Sequence, residues 1–150
     1  VNGLAFDLGT TTGWAALMNG TVLSGTLKLK GGRFEGGGMR FVRFADQVTE
    51  LFSRVAPDWV YYEEVRRHAG TDAAHVYGGL MGALTGLCER RPVPYSAVPV
   101  GTIKKFWTGV GNADKGRMVQ EAIRRGYRPE DDNEADALAL LHWKIDELLS

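Results

Sequence analysis

Asn19-Gly20 lies between two runs of strand character, and this dipeptide closes tight hairpins because both central turn positions need a left-handed backbone. Gly13 to Met18 is apolar before it, and after it Leu23, Gly25, Leu27 and Leu29 alternate with Val22, Ser24, Thr26 and Lys28. An earlier apolar run, Leu4 to Asp7, stops at an acid and then Gly9. The chain therefore opens as a three-stranded antiparallel meander.

A glycine-rich loop follows from Gly31 to Gly38, and then Phe41, Phe44, Val48, Leu51, Phe52 and Val55 recur at helical spacing. Pro57 ends that helix, and Trp59 to Tyr62 form a short strand finishing on Glu63 and Glu64. A second helix runs from Asp72 to Arg90, Pro92 and Pro94 close it, and Tyr95 to Val100 give a fifth strand. A short helix near Thr102 to Trp107, a helix capped by Asn112 that stops at Gly126, and a last helix carrying Leu138, Leu141, Ile145 and Leu148 complete the reading. The expected fold is α/β, a five-stranded mixed sheet of three antiparallel strands and then parallel ones, with helices on both faces. Residues 1–150 suffice for a single domain with one core.

The formal charge is zero, which by itself argues against a polyanionic partner. The distribution reverses that inference. Acids gather at Asp131, Asp132, Glu134 and Asp136, and bases at Arg66/Arg67, Arg90/Arg91, Lys104/Lys105, Lys115/Arg117 and Arg124/Arg125, a pattern expected of an acidic pocket inside a basic surface. No apolar stretch is long enough for a bilayer span, and a lone Cys88 without a leader-like start points to a reducing, intracellular setting.

Three segments each place an acid at the end of an element: Asp7 on the first strand, Glu63 on the fourth, and Asp136 in the first turn of the last helix. Each alone has an ordinary explanation as a turn residue, a solvated strand end or a helix-start acid. An acid directly after Leu4-Ala5-Phe6, or between Ala135 and Ala137, is not explained that way. If the three converge, their mutual repulsion calls for divalent cations, and hard oxygen donors suit magnesium or manganese. Two such ions at one site support hydrolysis of a phosphodiester.

These residues resemble the RuvC family of crossover-junction endonucleases nearly end to end. The likeness is carried by Leu4-Ala5-Phe6-Asp7-Leu8-Gly9-Thr10-Thr11-Thr12-Gly13-Trp14-Ala15, by Tyr61-Tyr62-Glu63-Glu64-Val65, by Lys104-Lys105 with the segment Gly109 to Lys115, and by Asn133 to Ala139. The resemblance implies a ribonuclease H-like fold, a homodimer, metal-dependent cutting of two symmetric strands at a four-way (Holliday) DNA junction, and a cytoplasmic setting in a bacterial or phage-infected cell. It implies catalytic and metal-binding roles for Asp7, Glu63 and Asp136. The family usually has an acid or histidine three residues before the last aspartate, where this chain has Asn133. Asp132, at i−4 on nearly the same helical face, is the favoured fourth ligand and Asn133 its rival. Glu134 should point elsewhere, and Glu64 should face away from Glu63.

Lys115 at a helix start is electrostatically unfavourable, which a phosphate partner would explain. With Lys104, Lys105 and Arg117 it is expected to hold the scissile strand and to assist catalysis, although a solvated basic face is the ordinary alternative. Arg66 and Arg67, beside the fourth-strand acid, are expected to reach the junction centre, although an exposed Arg-Arg pair is also ordinary surface. Ala74, Gly78, Gly82 and Gly86 make one stripe of the second helix nearly bare, which suits close approach of the chain's own sheet or of a second subunit; the resemblance favours the dimer. The histidines and Cys88 show no ligand pattern, and of the tryptophans only Trp107 merits a base-stacking test. Rival functions are a ribonuclease H-type or general branched-DNA nuclease, an ATP-binding actin-like fragment suggested by Asp7-Leu8-Gly9-Thr10-Thr11, and a non-catalytic junction-binding module.

Overall fold

The computed structural model describes residues 1–150. Strands β1 (Gly3–Asp7), β2 (Thr11–Met18) and β3 (Thr21–Lys28) precede helix α1 (Met39–Val55). Strand β4 (Trp59–Glu64), helix α2 (Thr71–Arg90) and strand β5 (Tyr95–Pro99) follow, and helices α3 (Val100–Thr108), α4 (Lys115–Arg124) and α5 (Asp132–Leu149) end the chain. The sheet order is β3-β2-β1-β4-β5, with β1, β2 and β3 antiparallel and β4 and β5 parallel to β1. The expected mixed sheet is thus present. Met18 pairs with Thr21 across Asn19 (φ 52°) and Gly20 (φ 81°), the two-residue left-handed turn that this dipeptide favours.

Instead of the one core expected, alternate strand residues serve two, because helices cover both faces of the sheet. Leu4, Phe6, Val60 and Tyr62 face α1 and α2, whereas Ala5, Ala15, Trp59 and Val98 face α3, α4 and α5. The second face is lined by small residues, Ala5 and Ala15 on the sheet and Ala135, Ala137 and Ala139 on α5, all fully buried. Short side chains on both partners let a helix lie close to a sheet. Gly13 takes this furthest: a Cβ there would fall 1.9 Å from the Asn133 carbonyl oxygen and 2.9 Å from the Glu134 amide nitrogen. The start of α5 therefore rests directly on the backbone of β2, at the residue paired with Asp7.

Three expectations change. The cap of α4 is Asp114, whose carboxylate accepts the Arg117 N–H at 2.9 Å, because a capping oxygen must reach the amide three residues on; Asn112 lies too early and is exposed. Val100 begins α3 instead of ending β5. On α2, a Cβ added at Gly78, Gly82 or Gly86 would meet nothing within 4 Å, so the chain's own sheet is not their partner. The glycine that is tightly packed is Gly79, where a Cβ would meet the Phe41 ring at 2.4 Å. Gly82→Ala is therefore expected to stabilise an isolated chain by roughly 0.5–1 kcal/mol through helix propensity, read by chemical denaturation.

Candidate active site

Strand parity brings the first two acids together. Asp7 follows Ala5 by two residues and Glu63 follows Trp59 and Tyr61 at the same interval, so both carboxylates face α5. Phe6 pairs in parallel with Tyr62, which sets Asp7 and Glu63 side by side at the ends of neighbouring strands. The close seating of α5 supplies the third. Carboxylate oxygens of Asp7, Glu63 and Asp136 all lie within 4.8 Å of one another. Asp136 stands one turn further into α5 than expected, since Asp132 and Glu134 occupy the first turn.

The cluster is poorly hydrated. Glu63 is 4 % exposed, Asp7 keeps only a partial opening to solvent, and the Asp136 Oδ1 atom is buried without a hydrogen-bond partner. Burial, then the charge of Glu63, raises the Asp7 carboxyl well above the usual range. Burial and then Asp7 and Asp132 push Asp136 up to about 8, and burial with Asp136 pushes Glu63 up to about 7. Three crowded acids and an unpartnered buried oxygen fit a divalent cation held by hard oxygen ligands.

The surrounding residues orient the acids. Asp131 caps α5 by accepting the Glu134 N–H at 2.9 Å, and the Asn133 side-chain amide donates to the other Asp131 oxygen at 3.3 Å. Asp132 lies outside the close triad, yet its charge raises Asp7, Glu63 and Asp136, and its carboxylate stands 3.9 Å from Lys115 Nζ. Glu134 does point away from the cluster, and the structure gives it a role that sequence reasoning missed. It is buried, accepting Ser24 Oγ at 2.6 Å and the Glu130 N–H at 2.9 Å, and so fastens the start of α5 to β3. The Asp131-x-x-Glu134 spacing, a capping-box pattern, is the signal that could have found it. Tyr77 fixes the end of β4: its hydroxyl donates to the Glu63 carbonyl at 2.5 Å and accepts the Val65 N–H at 3.3 Å.

No protein-family model matches the sequence. Among solved structures, Thermus thermophilus RuvC superposes with a TM-score of 0.71 at 24% identity, over 99% of this chain and 96% of that one. The chain has the RuvC fold. T. thermophilus RuvC in complex with a Holliday junction substrate gives a TM-score of 0.73 at 24% identity, covering 92% of this chain and 88% of that one. The yeast mitochondrial Holliday junction resolvase Ydc2 gives 0.55 at 16% identity, over 91% and 74% of the two chains.

Within this RuvC fold the basic residues divide. Lys104 on α3 is close enough to lower both Glu63 and Asp136, whereas Lys105, one residue on, is exposed. Lys115 begins α4 beside Asp132, and Arg117 lies further along in a groove with Thr108, Gln120 and Arg124. Arg66 and Arg67 are exposed in a groove of about 380 Å³ with Val65, Pro99 and Gly101, and Arg66 pairs with Glu64 at 2.7 Å. Glu64 thus faces away from the cluster, as its strand position requires.

Trp107 is removed as a base-stacking residue. It is 2 % exposed, donates its indole N–H to the Met118 carbonyl at 3.0 Å and lies under the Arg125 guanidinium at 4.0 Å. Its spacing from Ile103 on α3 already marks a core position. Cys88 is buried, its thiol pushed up to about 11, and His142 is engaged by the Tyr127 hydroxyl at 2.5 Å.

Proposed function

We propose that residues 1–150 act as one nuclease domain, a metal-dependent, structure-selective endonuclease that resolves four-way DNA junctions by hydrolysis. The observation that carries this reading is the convergence of Asp7, Glu63 and Asp136 within 4.8 Å on a fold shared with a RuvC solved on a Holliday junction. Asp7, Glu63 and Asp136, joined by Asp132, would hold two magnesium or manganese ions. Bound there, the ions supply an activated water and offset charge on the attacking and leaving oxygens. Attack forms a new P–O bond and breaks the scissile one in line.

The protein's own groups do the positioning. Glu63, buried, and Asp136, with one unpartnered oxygen, present fixed ligands that need no reorganisation. Lys104 and Lys115 border the acids and place positive charge where the phosphate must lie, with Lys115 supporting catalysis there. Lys105, Arg117, Arg66 and Arg67 extend this binding along the strands as phosphate contacts. The bare face of Gly78, Gly82 and Gly86, open to solvent, supports pairing with a second copy, and a two-fold dimer matches a two-fold junction. No helix is long and apolar enough to cross a membrane, and the likeness to a bacterial RuvC favours a cytoplasmic setting.

Asp132 is the fourth ligand in this reading because the Asn133 amide is turned to Asp131. Asp132→Asn is expected to slow junction cleavage by about a hundredfold and Asn133→Ala by less than about threefold. The reverse order would assign the position to Asn133. The function itself is tested by incubating labelled four-way junction, plain duplex and RNA–DNA hybrid with magnesium, manganese or chelator. Junction cutting in metal alone is expected. Hybrid cutting without junction cutting would move the chain to the ribonuclease branch, and tight junction binding without any cutting would make it a binding module.

A further inference from the structure

The segment after β3 leaves the sheet at the same end of the strands as Asp7 and Glu63, because β3 and β1 both run antiparallel to β2 while β4 runs parallel to β1. Its root is tied to the turn beyond Asp7 by the Leu29 N–H, which donates to the Thr10 carbonyl at 3.0 Å. Its tip is also held, since the Glu35 carboxylate accepts the Gly32 N–H at 2.8 Å and pairs with Arg43. Displayed on that tip, Phe34 is 95 % exposed, with the Arg33 guanidinium over its ring at 5.7 Å.

Single exposed apolar residues are ordinary, but here three of the eight large ones, Phe34, Met39 and Val42, fall within one short stretch. Lys30, Arg33, Arg40 and Arg43 lie among them, and the one acid, Glu35, is already taken by Arg43. Arg40 lines a cleft with Gly9, Thr10, Asp72 and Tyr77, so one further cation stands between the loop and the turn beyond Asp7. An exposed ring flanked by cations suits a partner with flat aromatic faces and negative charge, which describes an unstacked nucleotide. A purely apolar protein partner would gain nothing from Lys30, Arg33 and Arg40, the bases that Glu35 leaves unpaired.

We infer that loop 30–38 is a second DNA-contacting element in which the Phe34 ring, beside Arg33, stacks on a base left unpaired at a branch point. The inference rests on the nuclease reading above. It is tested by measuring binding of a labelled four-way junction and a plain duplex of equal length in chelator, using the full chain and its Phe34→Ala and Phe34→Trp variants. Phe34→Ala is expected to weaken junction binding about tenfold, Phe34→Trp to keep it within about twofold, and duplex binding to stay within about twofold for both. A fluorescent base analogue at the branch point is expected to lose its change in signal with Phe34→Ala alone.

Unchanged junction binding by Phe34→Ala overturns the inference, as does an equal loss on duplex. A change in sedimentation with junction affinity intact also overturns it and assigns the ring to contacts between copies. If the unaltered protein cuts junctions in metal while Phe34→Ala binds normally, only the stacking role falls. If the unaltered protein neither prefers nor cuts junctions, the nuclease reading falls and takes the stacking role with it.

Discussion

Asp136→Asn is expected to lower junction cleavage by roughly a thousandfold or more, about 4 kcal/mol of transition-state stabilisation, while making the metal-free protein more stable. Both effects come from the same crowding. Burial and the neighbouring acids push Asp136 up to about 8 and Glu63 up to about 7, so above those values the folded state carries charges that the unfolded chain holds at no penalty. The amide removes one charge and gives the Asp7 and Glu63 carboxylates a donor. In chelator at pH 8.5 the gain should be on the order of 2 kcal/mol, or roughly 5 °C in Tm.

The pH dependence follows with a definite sign. Below about 4, the unfolded value, these carboxyls are neutral in both states and contribute nothing. Between that point and the folded values near 7 and 8 the unfolded chain ionises first, so stability falls as pH rises. Above about 8 the loss is complete. Thermal melts in chelator should show a higher Tm at pH 5 than at pH 8.5, with Asp136→Asn flattening the slope. Manganese at about a hundred times its Kd should restore about 2.7 kcal/mol to the unaltered protein. Asp136→Asn should recover less.

Gly13→Ala is expected to damage stability and activity together although it touches no acid. Its Cβ would stand 1.9 Å from the Asn133 carbonyl oxygen and 2.3 Å from the carbonyl carbon, both backbone atoms that cannot turn aside. The start of α5 must lift from β2, straining the Ser24–Glu134 link and moving Asp136 away from Asp7. Overpacking of this kind costs about 1–3 kcal/mol, and a displacement near 1 Å at a reacting centre costs about a hundredfold in rate. Denaturant unfolding and junction cleavage on the same variant check both. Gly82→Ala, which meets nothing within 4 Å in the chain, is the matched control for fold stability.

Much of the scaffold is legible in the sequence because its signals are local. Asn19-Gly20 specifies a two-residue turn, strand alternation specifies which residues share a face within each strand, and the Phe6–Tyr62 register then puts the acids of β1 and β4 on one face. What stays hidden depends on contacts between distant backbones. Gly13 looks like any strand glycine until Asn133 is laid on it, and nothing local tells Gly79, pressed on Phe41, from the regularly spaced Gly78, Gly82 and Gly86. Asn112 and Asp114 both precede a helical run, and only the reach to the Arg117 amide selects the cap. Glu134 points away from the cluster, and that direction, which removes it from the metal site, is what lets it fasten α5 to β3.

The most direct test is strand cleavage of an end-labelled four-way junction by the unaltered protein, Asp7→Asn and Glu63→Gln, in manganese and in chelator. A carboxylate-held metal site predicts symmetric cuts in two opposed strands by the unaltered protein in manganese, none in chelator, and none by either variant. Cutting by Asp7→Asn or Glu63→Gln at the parent rate, or no cutting by the unaltered protein in any metal, would contradict it.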